Sequence, residues 1–418
     1  MTEYIRRDRY LRQLIRKKDS GEVKIITGLR RCGKSWLLGK LYHDWLTGQG
    51  VPEDHIVSIS PDGQDLQPGA DLPDPLRLIH CLRERIRDDG RYYVFLDGLQ
   101  KVPGFERTVN GLNARDNVDV YITGSDSEFI SGGTGTLLRG RCDEVRVFPL
   151  TFSEFSEGRH EQLSELWKEY CTFGGMPEIM GLGTPLEKRD CLARLWDMIC
   201  LDIAQRSHIR KRQAFEGVAD LLCSSVGSPA NPSRISASLK NRSNLSVSDD
   251  TVRSYLGALE KALLFSVARR FSIRERRYSR NIRKYFIPDT GLLSAGTGYR
   301  QQDFPHVMEN IVFNELLARG WRVDTGIVES RESRDGRQIF CQREVDFIAE
   351  KGSDRVYIQL ASALTDEAEK ELVTRPLRMI RDSFRKIVIV GSDIAPYTDE
   401  FGISCIGLFD FLLDEKAL

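Results

Sequence analysis

The chain has 418 residues, 61 basic and 61 acidic side chains, and a formal net charge of zero, so whole-chain charge carries no nucleic-acid signal and only local clusters can. Its length exceeds what one hydrophobic core organises and predicts about three domains, with 40% hydrophobic and 29% charged residues as in ordinary globular proteins. There is no run of 18 apolar residues, no apolar signal core at residues 1–7, and no CxxC pair among nine scattered cysteines and six isolated histidines, a pattern that predicts a cytoplasmic protein without a membrane span or a zinc site.

Taken in chain order, residues 3–18 predict a basic helix. Tyr4, Ile5, Tyr10, Leu11, Leu14 and Ile15 form its apolar side, and Arg6, Arg7, Arg9, Arg12, Arg16, Lys17 and Lys18 cover the rest as a solvated face or one for a phosphate or an acidic partner. A β-rich stretch at 23–27 then feeds Gly28-Leu29-Arg30-Arg31-Cys32-Gly33-Lys34-Ser35, which fits the phosphate-binding pattern GxxxxGK followed by Ser or Thr. Trp36 opens a stretch of helical spacing that continues to residue 42. A strand turning into a helix N-terminus presents backbone N–H groups to a phosphate. Gly28 and Gly33 let the backbone curl, Lys34 is placed to reach the β- and γ-phosphates, and the Ser35 hydroxyl to ligate Mg²⁺.

Residues 55–60 predict a second buried strand, followed by a Pro/Gly/Asp-rich loop at 61–75 and an amphipathic helix at 76–86. Residues 92–97 form an apolar run that ends in Asp97. A buried strand that delivers a carboxylate is how the Mg²⁺ acid of a phosphate site is presented; the alternative is an Asp that caps the next helix. A further strand at 118–123 ends in Gly124-Ser125-Asp126-Ser127, where a polar tip can sense a γ-phosphate. Arg139 and Arg141 precede a short strand at 144–148, either as phosphate-stabilising arginines or as surface ones.

Several stretches together resemble the AAA-type P-loop ATPases of bacteria and archaea that carry a C-terminal restriction-endonuclease-like domain of unknown function. They are ITGLRRCGKSWLL at 26–38, YVFLDGLQKVPGFE at 93–106, YITGSDSEFIS at 121–131, LLRGRCDEVRVFPLTFSEF at 137–155, YCTFGGMPEIM at 170–180, ENIVFNEL at 309–316, REVDFIAE at 343–350 and VYIQLA at 356–361. The resemblance implies an α/β fold in four parts. A P-loop, AAA-type parallel-sheet core spans 1–150, a helical lid 151–212, a winged helix-turn-helix 213–287, and a restriction-endonuclease-like domain 288–418. In the core, the strands of Asp97 and of Ser125–Asp126 lie beside the phosphate-loop strand. It further implies ATP and Mg²⁺ as cofactors, residues 28–36 as the nucleotide loop, Ser35 and Asp97 at the metal, and Asp97, Asp126 and Arg141 as catalytic residues. Ring-like homo-oligomers, the hexamer among them, are implied as well.

Two positions depart from that family. The acid expected after Asp97 is replaced by Gly98, which has no side chain to polarise water, and the expected Asn is Asp126. An ionised Asp126 beside a γ-phosphate is repelled. Weak or conditional hydrolysis follows, with Asp62 and Asp126 as the remaining candidate bases.

Residues 161–172 and 186–206 have helical spacing, broken by Gly174-Gly175 and Pro177, and fit the lid. Residues 213–287 look like a winged helix. Asn231-Pro232 opens its second helix. Ser248 caps its third, with Val252, Tyr255, Leu256, Leu259 and Leu263 as the buried stripe and Arg253 outward. A basic hairpin follows, with Arg269, Arg270, Arg274, Arg276, Arg277, Arg280, Arg283 and Lys284 interleaved with Phe271, Tyr278 and Tyr285. Arg274, Arg276, Arg277 and Arg280 are the DNA-binding candidates, expected to grip phosphates with little sequence preference. The alternative is a winged helix used only for packing or for subunit contacts. In the last part, Glu309 and Asp346 occupy two of the positions where a restriction-like nuclease holds its metal. Gln359-Leu360-Ala361 stands where an acid and a lysine belong, so nuclease activity is not expected. A DNA-acting ATPase therefore stands against an ATP-binding switch or scaffold for a protein partner.

Overall fold

The computed structural model describes residues 5–60, 75–99, 102, 104–125, 142–300, 303–334 and 337–418. Asp62, Asp126, Arg139 and Arg141 lie outside the described residues, as does the side chain of Arg280. The chain divides into two compact units, residues 1–149 with 261–263, and residues 150–260 with 264–418.

In the first unit, five strands form one parallel sheet: β1 (Val23–Thr27), β2 (Ile56–Ile59), β3 (Tyr92–Leu96), β4 (Val118–Gly124) and β5 (Cys142–Arg146), ordered β2-β3-β4-β1-β5. β1, β3 and β4 are buried along their whole length, and β3 accordingly reads as a continuous apolar run rather than an alternating one. One face packs Val23, Ile25, Val57, Val94, Leu96, Val120 and Ile122 against Leu78 and Leu82 of the helix Pro75–Arg85 and against Phe105 and Val109 of the helix Phe105–Asn113. β4, which leads to Ser125, does adjoin β1. β3, which leads to Asp97, is separated from β1 by β4, contrary to the expectation that both would flank it.

The polar side chains inside this sheet are paired. Lys24 and Asp119 form an ion pair, 0% and 2% exposed. The Tyr121 hydroxyl donates to Asp119 at 2.7 Å and lies 2.6 Å from the Tyr42 hydroxyl. Burial pushes both phenols well above their ordinary range, so both stay neutral and available for hydrogen bonding.

The second unit begins with helices Phe152–Ser156, Leu163–Phe173, Pro185–Arg206 and Arg212–Ser224. The Gly174-Gly175 break has a physical cause. A Cβ on Gly174 would sit 2.3 Å from the Asp289 carboxylate, and the Gly175 N–H donates to that carboxylate at 2.6 Å. The Pro232–Ser243 helix follows β6 (Pro229–Ala230), with the Asn231 side chain accepting from the Arg234 N–H. Asp249–Lys261 is the next helix, and then β7 (Ser266–Ser272) and β8 (Arg277–Phe286) form an antiparallel hairpin. The sequence continues through helices Thr290–Gly296 and Phe304–Ala318, the long hairpin β9 (Arg322–Arg334) and β10 (Arg337–Lys351), and β11 (Asp354–Ala361). After the helix Glu367–Arg378 come β12 (Arg385–Val390), β13 (Tyr397–Thr398) and β14 (Ser404–Gly407). These strands form one nine-stranded sheet in the order β13-β14-β12-β11-β10-β9-β7-β8-β6, because β7 adds in parallel to β9. Among the described residues, no helix is long and apolar enough to cross a membrane.

Candidate functional site

The β1 strand ends at Thr27 and the chain turns through residues 28–33 into helix, starting with Lys34–Trp36. Two glycines permit that turn. Gly28 has φ +152, and a Cβ there would meet the Val147 carbonyl oxygen at 2.2 Å and the Cys32 sulfur at 2.8 Å. Gly33 has φ +100 and directly precedes Lys34. Arg31 is left-handed as well, at φ +66, and is exposed. Leu29 and Cys32 point inward and are buried, and the Cys32 thiol lies 3.4 Å from the Val147 carbonyl. Helix continues past Trp36 through a π-helical turn, Leu37–Tyr42, to His43–Gly48, so Tyr42 reaches the buried network around Asp119.

Lys34 is 9% exposed, and its Nζ donates to the carbonyls of Gly28 at 3.0 Å and Leu29 at 2.9 Å. The ammonium is thus folded back over the rim of the loop that it would serve. Ser35 is exposed in the first helical turn, and Trp36 is half-buried with its indole N–H 3.4 Å from the Ile5 carbonyl.

Asp97 stands just past β3, half-buried. Its carboxylate accepts from the Thr123 hydroxyl, and its backbone N–H donates to the Ile59 carbonyl at 3.0 Å. Thr123, 1% exposed near the end of β4, also accepts from the Gly98 N–H at 3.2 Å. The structure therefore couples the ends of β3 and β4 through a threonine that the sequence reading passed over. Its signal was a polar residue near the tip of a buried strand. Gly98 has φ +74, and among the described residues nothing lies within 4 Å of where a Cβ would project.

Arg7 corrects the expectation of a solvated basic face. It is 2% exposed, and its guanidinium donates to the Cys32 carbonyl at 3.1 Å and to the Phe148 carbonyl, with the Tyr10 ring 4.7 Å away. The chain before β1 thereby fastens the phosphate loop to the segment after β5. Arg146 is a second arginine of this region: burial lowers its pKa, opposed by Glu144, and its guanidinium stacks on Phe148 at 4.8 Å.

The hairpin arginines are engaged unequally. Arg277 pairs with Glu275 at 2.5 Å and Arg283 with Glu260 at 3.6 Å. Arg269 stacks on Tyr278 at 4.1 Å, and its guanidinium lies 3.6 Å from the Asp324 carboxylate. Arg274 and Arg276 lie in the exposed turn, Arg276 with φ +52.

Lys284 does not belong to that surface. It is buried on β8, with its ammonium 2.8 Å from Glu309 and 2.5 Å from Glu344. Burial alone would depress this ammonium; the two carboxylates outweigh it and hold its pKa above the ordinary lysine value. Glu309, Glu344 and Asp346 can bring one oxygen each within 4.8 Å of one another. Burial, helped by Glu309, pushes Asp346 up to about 7, and its carboxylate accepts the Leu360 N–H at 2.7 Å. A bulge in the β9–β10 pairing between Val345 and Ile348 turns this stretch of strand. Gln359 keeps a buried Oε1 with no hydrogen-bond partner among the described residues. A divalent cation does not fit this set as it stands: an ammonium already bridges two of its acids and the position at Gln359 is neutral.

Comparison with known proteins matches residues 20–156 to the family model described as an AAA domain, and residues 164–303 to a domain of unknown function, DUF8612. An uncharacterized protein of Haemophilus influenzae is 34% identical over 415 residues, covering 98% of each chain. An uncharacterized protein of Methanocaldococcus jannaschii is 24% identical over 396 residues, covering 91% of this chain and 83% of that one. Among solved structures, the Aeropyrum pernix ORC1 protein in complex with DNA is similar with a TM-score of 0.28 and 14% identity, over 71% of this chain and 94% of that one.

Proposed function

The chain belongs to the same family as the Haemophilus influenzae protein, and on that footing we propose that it is an ATP-binding AAA-type ATPase of low turnover that acts on DNA. The observation that carries the nucleotide reading is the loop at 28–34. Its glycines sit where a Cβ is excluded or the backbone is left-handed, and its buried lysine rests on the loop's own carbonyls. A triphosphate entering this loop offers Lys34 charged acceptors in place of two neutral carbonyls, and charge-assisted hydrogen bonds are the stronger ones.

In this reading residues 28–36 hold the phosphates, and Ser35 with Asp97 holds Mg²⁺, which when bound neutralises charge on the phosphate oxygens. Thr123 keeps the Asp97 carboxylate in place through its hydroxyl. Gly98 supplies no base, so hydrolysis is slow and depends on Asp126, Asp62 or a partner. Arg141 would approach a nucleotide in cis or across a ring-like homo-oligomer; a strictly monomeric mass in the presence of ATP would refute the ring. Residues 151–212 are proposed as the lid, 213–287 as a winged helix and 288–418 as a restriction-endonuclease-like domain. That last domain is read as inactive as a nuclease, because Lys284 occupies its acid cluster.

The test is ATP·Mg²⁺ binding and turnover, with and without DNA, for the parent and for Lys34→Ala. Binding at micromolar scale by the parent, largely lost in the variant, supports the reading. A variant that binds ATP as the parent does would remove its basis. If ATP binds but DNA neither binds nor changes turnover, the ATP-dependent switch for a protein partner replaces the DNA-acting reading.

A further inference from the structure

We propose that Tyr42 and Tyr121 are positioning residues of the phosphate loop, acting through the polar face of β4. The proposal rests on the nucleotide reading above and names what holds the loop in its binding shape. Along β4, polar and apolar positions alternate. Val118, Val120 and Ile122 lie in the core cluster with Leu78, Leu82, Phe105 and Val109. Asp119, Tyr121 and Thr123 therefore share the opposite face, and all three are at most 2% exposed. Thr123 is the member of this face that holds the Asp97 carboxylate.

Asp119 and Tyr121 reach both ends of the loop. Lys24 stands on β1, the strand that runs into the loop, opposite Tyr121 in register, and its ammonium pairs with the Asp119 carboxylate. The Asp19 N–H donates to the same carboxylate at 3.0 Å. The hydroxyl hydrogen of Tyr121 goes to Asp119 at 2.7 Å, so Tyr42 is the donor in the 2.6 Å contact between the two phenols. A directed chain thus runs from Tyr42 through Tyr121 to a carboxylate that Lys24 neutralises, and hydrogen bonds in such a chain strengthen one another. Tyr42 belongs to the helix that leaves the loop. The strand before the loop and the helix after it are both tied to one buried carboxylate.

The helix between Lys34 and Tyr42 gives this tie its leverage on the loop. Through Leu37–Tyr42 it is π-helical, and the His43 N–H donates to the Leu38 carbonyl, one residue further back than in an α-helix. Tightening that turn to α-helical spacing would shift Tyr42 by about 1.5 Å and rotate it by about 100° relative to Lys34 and Ser35. A tightened turn breaks the contact between the phenols. The contact therefore selects the wide turn and, with it, the placement of Lys34 and Ser35. The hydroxyl is separable from the ring: the Tyr42 ring lies 5.1 Å from that of Tyr121, 5.8 Å from Phe95 and 5.8 Å from Trp45, contacts that a phenylalanine keeps.

The experiment measures ATP affinity by titration calorimetry, in Mg²⁺ and in EDTA, with the full chain as parent, Tyr42→Phe, Tyr121→Phe and the double variant, and records each melting temperature. Tyr42→Phe should weaken ATP binding about five-fold, the scale of one net hydrogen bond. The loss should persist in EDTA, because the loop is displaced and not the metal acid alone. The double variant should bind no more weakly than the weaker single variant, because the two hydroxyls act as one chain. Tyr121→Phe takes a donor from Asp119 and leaves the Tyr42 hydroxyl without its acceptor; should it fail to fold, Tyr42→Phe decides by itself, since it takes no donor from the carboxylate. Parent-like ATP affinity in Tyr42→Phe, whatever its melting temperature, overturns the proposal, makes the chain a purely structural one and leaves the nucleotide reading standing. A loss confined to Mg²⁺, or losses that simply add in the double variant, overturns it as well. No ATP binding by the parent overturns the nucleotide reading and this proposal together.

Discussion

Replacing Lys284 by Met removes one ammonium and nearly preserves its volume, so the change isolates charge. In the parent, Lys284 is 8% exposed and Glu309 12%, and the two are 2.8 Å apart. Removing one partner of a buried pair costs about 3–5 kcal/mol, because the other charge is left uncompensated. Glu344 is 35% exposed, so its share is discounted to at most about 1 kcal/mol. A loss of about 3 kcal/mol corresponds to a fall in Tm of roughly 6–12 °C for a unit of this size. The loss must depend on pH, with a sign that follows from Glu309. Burial already raises its pKa above the ordinary carboxylate value, and loss of Lys284 raises it further. A carboxyl whose folded pKa lies above its unfolded value of about 4.5 weakens the folded state as pH rises through that interval. The deficit of Lys284→Met should therefore be largest at pH 8 and shrink towards pH 5. Urea unfolding followed by circular dichroism at both values measures it, and Lys284→Met/Glu309→Gln should recover most of the loss. A deficit below about 1 kcal/mol at pH 8, or an equal deficit at both pH values, would refute the lysine as the cation of this cluster. So would a rise in the parent's Tm on addition of millimolar Mn²⁺.

Arg7→Met should lower stability by about 2 kcal/mol, the scale of a buried hydrogen bond from a charged donor, and weaken ATP binding about ten-fold by releasing the Cys32 carbonyl. Calorimetric ATP affinity equal to the parent's would show that Arg7 does not hold the loop. Gly98→Glu should raise ATP turnover above a parent rate well below ~1 s⁻¹. Among the described residues nothing obstructs the side chain, but φ +74 makes it cost about 1 kcal/mol of stability; rapid hydrolysis by the parent would sink the argument. Burial pushes Asp289 up to about 6, although its carboxylate accepts the N–H groups of Gly175 and Leu292. Its contribution should therefore weaken the folded state as pH rises from about 4 to 6, and Asp289→Asn should flatten stability over that window. A variant with the same pH profile as the parent in urea titrations would disprove it.

The phosphate loop was legible because it is local. Eight consecutive residues contain the two glycines, the lysine and the serine, and the β-rich stretch before them favours a strand. The same holds for Asp97, which ends an apolar run, and for the Asn231 cap, whose polar side chain precedes its helix. Order within the sheet was less legible. The residues around Asp97 do not say that β4 will lie between β3 and β1, since parallel strands are joined by crossovers of variable reach. Arg7 and Lys284 were misread for one common reason. Each stands in a run of basic residues whose average environment is solvent, and each is the member that the fold turns inward.

What the sequence determines by itself is thus the set of elements and the loop chemistry, because helix and strand periodicities and turn residues act within a few positions of one another. What only the tertiary structure decides is which charges are neutralised. Arg7 meets the Phe148 carbonyl 141 residues away, Lys24 meets Asp119 across 95, and Lys284 meets Glu309 across 25 and Glu344 on another strand. Coulomb and desolvation energies depend on distance in space and on burial, and neither is written in the spacing of residues along the chain.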